Sequence, residues 1–243
     1  MVPTKKASEM TVKELAKYID QSVLKPEFTQ EEIKKYIQEG VDFGCATVCI
    51  NPASLDVAAE LCAGTDTKLC VVCDFPFGLS TTASKVLQAK EYCKRGDIYE
   101  LDIVSNYGFI RSGLWDKVGE DVRAVCDACH SYGTAVKVIM ETDALTLEQT
   151  LHAADVIIDA GGDFVKTSTG FFTGGPCVGA TVELMDKLIK HVAGRAKVKG
   201  SGCIRTREHF LQLIDMGIDR MGVGYRSTPV VLNCTPEEAR SMK

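Results

Sequence analysis

At 243 residues, 45% apolar and 25% charged, the chain can bury one large core and has the balance of an ordinary globular domain. A formal net charge of −5 argues against duplex nucleic acid or an anionic membrane as the main partner. No uninterrupted apolar run of about 18 residues exists to span a membrane, and the charged segment Met1 to Lys17 lacks the apolar centre of a signal peptide.

Taken in chain order, the pattern opens with an amphipathic helix over Met10–Ile19 and a short strand at Ser22–Leu24. Apolar, β-branched runs of strand length follow at Ala46–Ile50, Lys68–Cys73, Glu100–Val104, Ala135–Met140, Phe164–Val165, Ala196–Val198 and Arg220–Val223. Stretches of helical period separate them, at Glu31–Phe43, Ser54–Ala63, Thr81–Lys94, Leu114–Ser131, Leu147–Ala160, Val182–Val192 and Arg207–Met216. The end, Thr235–Lys243, reads as a short capped helix. Alternation of this kind places βα units around a parallel sheet. The strand count is that of a closed (β/α)8 TIM barrel, an α/β fold, with an extra N-terminal helix and a single domain over residues 1–243. The doubly wound open sheet is the rival architecture. It is disfavoured because no Gly-x-Gly-x-x-Gly follows the first strand.

Eleven cysteines are scattered and odd in number, so reduced thiols in a cytoplasmic protein are expected. The string Cys126-Asp127-Ala128-Cys129-His130 matches a haem-attachment pattern, but its setting is helical and no export signal accompanies it. Four histidines stand apart from one another and from acidic clusters. Neither a metal nor a cofactor is therefore expected.

In such a barrel, side chains at the C-terminal strand ends share one mouth. Asp20, Lys25, Asn51, Asp74, Asp102, Lys137, Glu141, Lys166, Lys199 and the run Gly222–Arg226 all fall near strand ends. Lys166 closes an apolar stretch and precedes small hydroxylated residues, and Lys199 holds the same place in the next unit. A buried lysine is costly unless its surroundings favour the neutral amine, which is the form that attacks a carbonyl. Strand alternation puts Glu100 and Asp102 on one face, where inward carboxylates need cations such as Lys137, Lys166 and Lys199. Plainer readings exist for each residue. Lys137 alone suits a snorkelling edge residue, Asp102 a structural ion pair, Asp74 a turn cap before Pro76, and Cys49 and Cys73 small core residues. The convergence of three lysines and an aspartate is what favours chemistry, because burying that set for structure alone is expensive.

From about Leu15 to Val230 the chain resembles the deoxyribose-phosphate aldolases, a Schiff-base family of (β/α)8 barrels. The landmarks are Asp20–Pro26, Val48-Cys49-Ile50-Asn51-Pro52, Phe75-Pro76-Phe77-Gly78 with Thr82 and Lys85, Glu100–Val104, Lys137–Thr142, Val165–Phe171 and Val198–Arg205. The Lys166-Thr167-Ser168-Thr169-Gly170 run, in order with the others, is the most specific. The resemblance makes Lys166 the Schiff-base lysine, Lys199 the neighbour that brings it to a pKa of roughly 7–8, and Asp102 the proton-handling carboxylate. It also implies substrate contacts from Asp20, Cys49, Lys137, Thr169, Gly170, Gly202, Gly222, Gly224 and Arg226.

The implied reaction is reversible cleavage of 2-deoxy-D-ribose 5-phosphate to D-glyceraldehyde 3-phosphate and acetaldehyde. The implied partners are a small aldehyde or sugar phosphate and further copies of the chain, as a homodimer or higher homo-oligomer, without nucleic acid or membrane. Departures cluster at the far end of the pocket. Gly202-Cys203 stands for the usual Gly-Gly, and Gly222-Val223-Gly224-Tyr225-Arg226 for the usual Gly-Thr-Ser-Ser-Gly. Gln21 replaces a histidine, Ser105 interrupts the end of strand four, and the tail Arg240–Lys243 lacks the tyrosine of some members. An acceptor that is unphosphorylated or bears a carboxylate gripped by Arg226 is the enzymatic alternative. A non-catalytic metabolite-binding barrel is the rival from another class. A metal-dependent aldolase is disfavoured by the ungrouped histidines.

Overall fold

The computed structural model describes residues 3–242, so Met1, Val2 and Lys243, at the ends of the first and last segments read above, lie outside it. Eight parallel strands close into a barrel in the order β1-β2-β3-β4-β5-β6-β7-β8, as the alternation predicts. They are β1 Ile19–Val23, β2 Thr47–Ile50, β3 Lys68–Cys73, β4 Ile98–Val104, β5 Ala135–Ile139, β6 Phe164–Lys166, β7 Lys197–Ser201 and β8 Arg220–Gly224. The helices are α1 Val12–Ala16, α2 Gln30–Phe43, α3 Leu55–Cys62, α4 Thr82–Cys93, α5 Tyr107–Arg111, α6 Trp115–His130, α7 Leu147–Asp159, α8 Val182–Val192, α9 Arg207–Asp215, α10 Thr228–Leu232 and α11 Pro236–Ser241. Among the described residues, no helix is long and apolar enough to cross a membrane.

Local chemistry sets the helix starts. Thr29 with Glu32 and Thr146 with Gln149 form reciprocal capping boxes at α2 and α7, satisfying backbone N–H groups that the first helical turn leaves open. A third box, Thr11 with Glu14, starts α1 two residues later than the apolar spacing predicts. The predicted helix over Met10–Ile19 is thus corrected at both ends, because Ile19 already belongs to β1. The strands are buried along most of their length, and β2 at every position, as expected where helices cover a parallel sheet.

Contacts divide the chain into two compact units. One comprises Met1–Val71 with Ile204–Lys243, and in it β1 pairs with both β2 and β8. Its core includes Leu15, Ile37, Val48, Ile50, Phe210 and Leu213. The other comprises Val72–Cys203 and contains the β4-β5-β6-β7 ladder. Its core includes Leu101, Ile103, Val136, Val138, Phe164 and Leu188.

In the second unit, the segment after β6 returns at Gly179 to lie on the backbone of Gly202, just past β7. Gly179 has φ +63, and a Cβ there would press on the Gly202 carbonyl oxygen. Gly179→Ala is expected to lower stability by about 1–3 kcal/mol through this overlap and the left-handed backbone. A urea titration should show a lower midpoint at unchanged slope.

Candidate active site

The second unit gathers its buried charge around one carboxylate. In β4, Glu100 and Asp102 share a face, as the period-two alternation requires. Asp102 is in register with Lys137 on β5, and Lys166 on β6 is in register with Lys199 on β7. The Lys137 Nζ donates to Asp102 Oδ1 at 2.8 Å and lies 2.6 Å from Glu100 Oε2. Lys166 and Lys199 both donate to Asp102 Oδ2, at 2.6 and 2.7 Å. Three predicted residues, Lys166, Lys199 and Asp102, are thereby brought together.

Burial would raise the Asp102 carboxyl, but the ammonium groups of Lys137, Lys166 and Lys199 overcome it and hold the group well below the usual carboxylate range. Asp102, Lys137 and Lys199 are 0% exposed, whereas Lys166 is 3% exposed. Of the three lysines, Lys166 is therefore the one that retains exposed surface. Lys137 differs from its prediction as a substrate contact: its ammonium is sealed in and committed to two carboxylates.

Directly after β6, Thr169 is 8% exposed and bonds Glu141, which follows β5. Its hydroxyl donates to Glu141 Oε2, its N–H lies 3.3 Å from Oε1, and its Oγ1 accepts the Phe171 N–H at 2.9 Å. Burial pushes the Glu141 carboxyl up, with the Thr169 bonds and the Lys166 charge acting against it. Glu141 adopts φ +59, an uncommon conformation for a residue with a side chain. Gly170 follows at φ +81 and is exposed. Gly202 sits at φ +83 with Gly179 against it, and Cys203 follows at φ +58.

Three other polar residues of this unit have structural uses. Lys85, on the buried Lys85-Ala89-Cys93 stripe of α4, donates to Asp121 Oδ2 at 2.6 Å and to the Val104 carbonyl at 3.1 Å. It pins the end of β4 two residues beyond Asp102, and its i, i+4, i+8 spacing with apolar residues was the available clue. Asp74 accepts from the Ser80 N–H and hydroxyl at 3.0 and 2.8 Å, which is the turn-capping use. Ser105 donates its hydroxyl to the Ile139 carbonyl at 2.8 Å and so joins β4 to β5.

The remaining predicted contacts belong to the first unit. Asp20 is corrected. It is the second residue of β1 and accepts from Thr47, the first of β2, at 2.8 Å and from Arg220, the first of β8, at 2.5 Å. These are strand starts, opposite the ends where such barrels do chemistry, so its use is structural. Cys49 is fully buried with its sulfur 3.6 Å from that of Cys70, a packing role. Gly222 and Gly224 lie within β8, and not in a loop after it. Arg226 is exposed, its guanidinium 5.2 Å from the centre of the Tyr225 ring, which stacks in turn on Tyr36 and Phe28.

The model of the DeoC/LacD family aldolases matches residues 14–226. A deoxyribose-phosphate aldolase of Thermoanaerobacter pseudethanolicus is 43% identical over 86% of this chain and 92% of its own length. Among solved structures, an aldolase designated QR15 superposes with TM-score 0.81 at 34% identity, covering 90% of this chain and 95% of its own. The deoxyribose phosphate aldolase of Aeropyrum pernix, described as tetrameric, gives TM-score 0.80 at 28% identity, covering 92% and 91%. This chain belongs to the DeoC/LacD family of aldolases.

Proposed function

We propose that the protein is a class I aldolase that cleaves 2-deoxy-D-ribose 5-phosphate reversibly to D-glyceraldehyde 3-phosphate and acetaldehyde, with Lys166 as the nucleophile. The observation that carries this reading is the sharing of one buried carboxylate by three amines, of which Lys166 alone has surface exposure. Three amines face Glu100 and Asp102, so the cluster is charge-balanced when one amine has given up its proton. A neutral amine is the reactive form.

In the cleavage direction, Lys166 Nζ adds to C1 of the open-chain sugar, and loss of water leaves an iminium. Asp102 takes the proton of the C3 hydroxyl through water, and the C2–C3 bond breaks with its electrons drawn toward the iminium nitrogen. D-Glyceraldehyde 3-phosphate departs, and the enamine is protonated at C2 by the same relay. Hydrolysis then frees acetaldehyde and returns the amine. Proton transfer of this kind is worth about 10²–10⁴-fold. Lys199 donates to Asp102 Oδ2, the oxygen that Lys166 also binds, and adds positive charge beside the nucleophile. Lys137 positions Asp102 and does not touch substrate.

For the far end of the substrate, the proposed contacts in the second unit are Thr169, Gly170 and Gly202. Arg226 favours a second reading, an aldolase whose acceptor carries a different anion, because its guanidinium is exposed and stacked on Tyr225. The tetrameric relative supports assembly into a homo-oligomer, and eleven free thiols suit the cytoplasm.

Sodium borohydride added with acetaldehyde tests the central claim. The expected result is a mass gain of one ethyl group on the Lys166 peptide, absent in Lys166→Arg. An unmodified Lys166 in folded protein would refute the Schiff-base mechanism. Comparing deoxyribose 5-phosphate with free deoxyribose separates the two acceptors: a strong preference for the phosphate ester removes the second reading.

A further inference from the structure

Nine of the eleven cysteines are buried, and the two that are half-exposed, Cys177 and Cys203, meet each other. Cys177 lies in the segment after β6, and Cys203 two residues beyond β7. The Cys203 thiol donates to the Cys177 carbonyl at 3.1 Å. The Cys177 sulfur lies beside the residue that precedes Cys203: a Cβ on Gly202 would come 3.8 Å from it. Cys203 holds φ +58, a left-handed conformation that a side chain disfavours, at the place where the resembling aldolases carry glycine. Packing alone does not require a thiol at such a position.

We propose that Cys177 and Cys203 are a redox modification site, a dithiol that a peroxide closes to a disulfide, tying the segment after β6 to the loop after β7. Cys203 attacks one oxygen of hydrogen peroxide, which is reduced to water while the sulfur becomes a sulfenic acid. The Cys177 sulfur then displaces hydroxide from it, forming the S–S bond. Burial, followed by the Asp143 carboxylate and the Cys203 thiol, pushes the Cys177 thiol up to about 12, so Cys177 acts second. Asp143, which accepts the N–H groups of Val178 and Gly179 next to Cys177, is placed to relay the Cys177 proton to the departing hydroxide, which leaves as the second water. Two thiols and one peroxide thus give one disulfide and two waters.

A consequence for catalysis rests on the aldolase reading above. Lys166, Lys199 and Asp102 are strand residues, so a cross-link between the following loops acts on substrate binding and leaves the amine chemistry in place. The experiment treats reduced full-length protein, Cys203→Gly and Cys177→Ser with hydrogen peroxide, followed by peptide mapping. The wild type is expected to lose two hydrogens, yield a linked Cys177–Cys203 peptide, and revert with dithiothreitol, while neither variant links. Oxidised wild type should show a KM for deoxyribose 5-phosphate raised several-fold at nearly unchanged kcat, with acetaldehyde still trapped on Lys166. Over-oxidation of Cys203 without a link, links between other cysteines, or no reaction would each overturn the site. An unchanged KM in linked protein would overturn its catalytic consequence. Failure of trapping in the reduced protein would instead refute the aldolase reading and leave the disulfide mapping standing.

Discussion

Asp102→Asn is expected to be the most damaging conservative substitution in the chain, lowering stability by about 3–5 kcal/mol, the range for breaking a buried ion pair by removing one partner. The carboxylate binds the amines of Lys137, Lys166 and Lys199 at 2.6–2.8 Å with no surface exposure. An amide in its place removes the charge that holds those amines together and points an N–H₂ donor at one of them. Turnover should fall about 10²–10⁴-fold with the loss of proton transfer. The pH dependence gives an independent check. The folded-state carboxyl is held below its unfolded value of about 3.9. Its stabilisation is therefore complete above that value and is lost as pH falls through the folded one. Between about pH 4 and the acid limit, the wild type should lose stability more steeply than Asp102→Asn. Parallel urea midpoints across that range, or wild-type turnover in the variant, would show that Asp102 does not organise the site.

The barrel was readable in the sequence because short, mostly apolar β-branched runs alternate with longer stretches that are apolar on one face, a rhythm that local composition preserves. The ends were less readable where glycine replaces β-branched residues. β7 continues through Gly200 to Ser201, and β8 through Val223 to Gly224. α5, with five residues after Asn106, is too short to show a helical period. Lys166, Lys199 and Asp102 were legible because charge inside an apolar strand is rare. The pairing of Lys137 with the β4 carboxylates was legible from the same alternation, whereas its full burial between Glu100 and Asp102, set by the strand register, was not. Asp20 failed for a related reason. Reading β1 as Ser22–Leu24 brought Asp20 nominally near the chemistry, whereas β1 begins at Ile19 and leaves Asp20 at the strand start beside Arg220. Phase along a strand decides which end a side chain serves, and composition alone is a weak guide to phase.

The pair Glu100 and Lys137 offers a test of whether the cluster acts as a unit. Lys137 bridges Glu100 and Asp102, and Glu100 is 3% exposed. Lys137→Met is expected to lower stability by about 3–5 kcal/mol, because two carboxylates then share the charge of Lys166 and Lys199 in a space that excludes water. Glu100→Leu should be milder, since Lys137 keeps Asp102 as its acceptor. In the double variant, Asp102 retains the amines of Lys166 and Lys199, and two apolar side chains of similar volume fill the space. The double variant is therefore expected to be more stable than Lys137→Met alone, with a coupling of about 0.5–3 kcal/mol. It should also still form the borohydride-trapped adduct on Lys166, because neither the nucleophile nor Asp102 is replaced and their mutual bond stays in place. Denaturant midpoints for the four proteins measure the coupling. Simple addition of the two single effects would mean that Glu100 and Lys137 are independent. Loss of trapping in a stably folded double variant would move Lys137 from positioning Asp102 to a direct part in the chemistry.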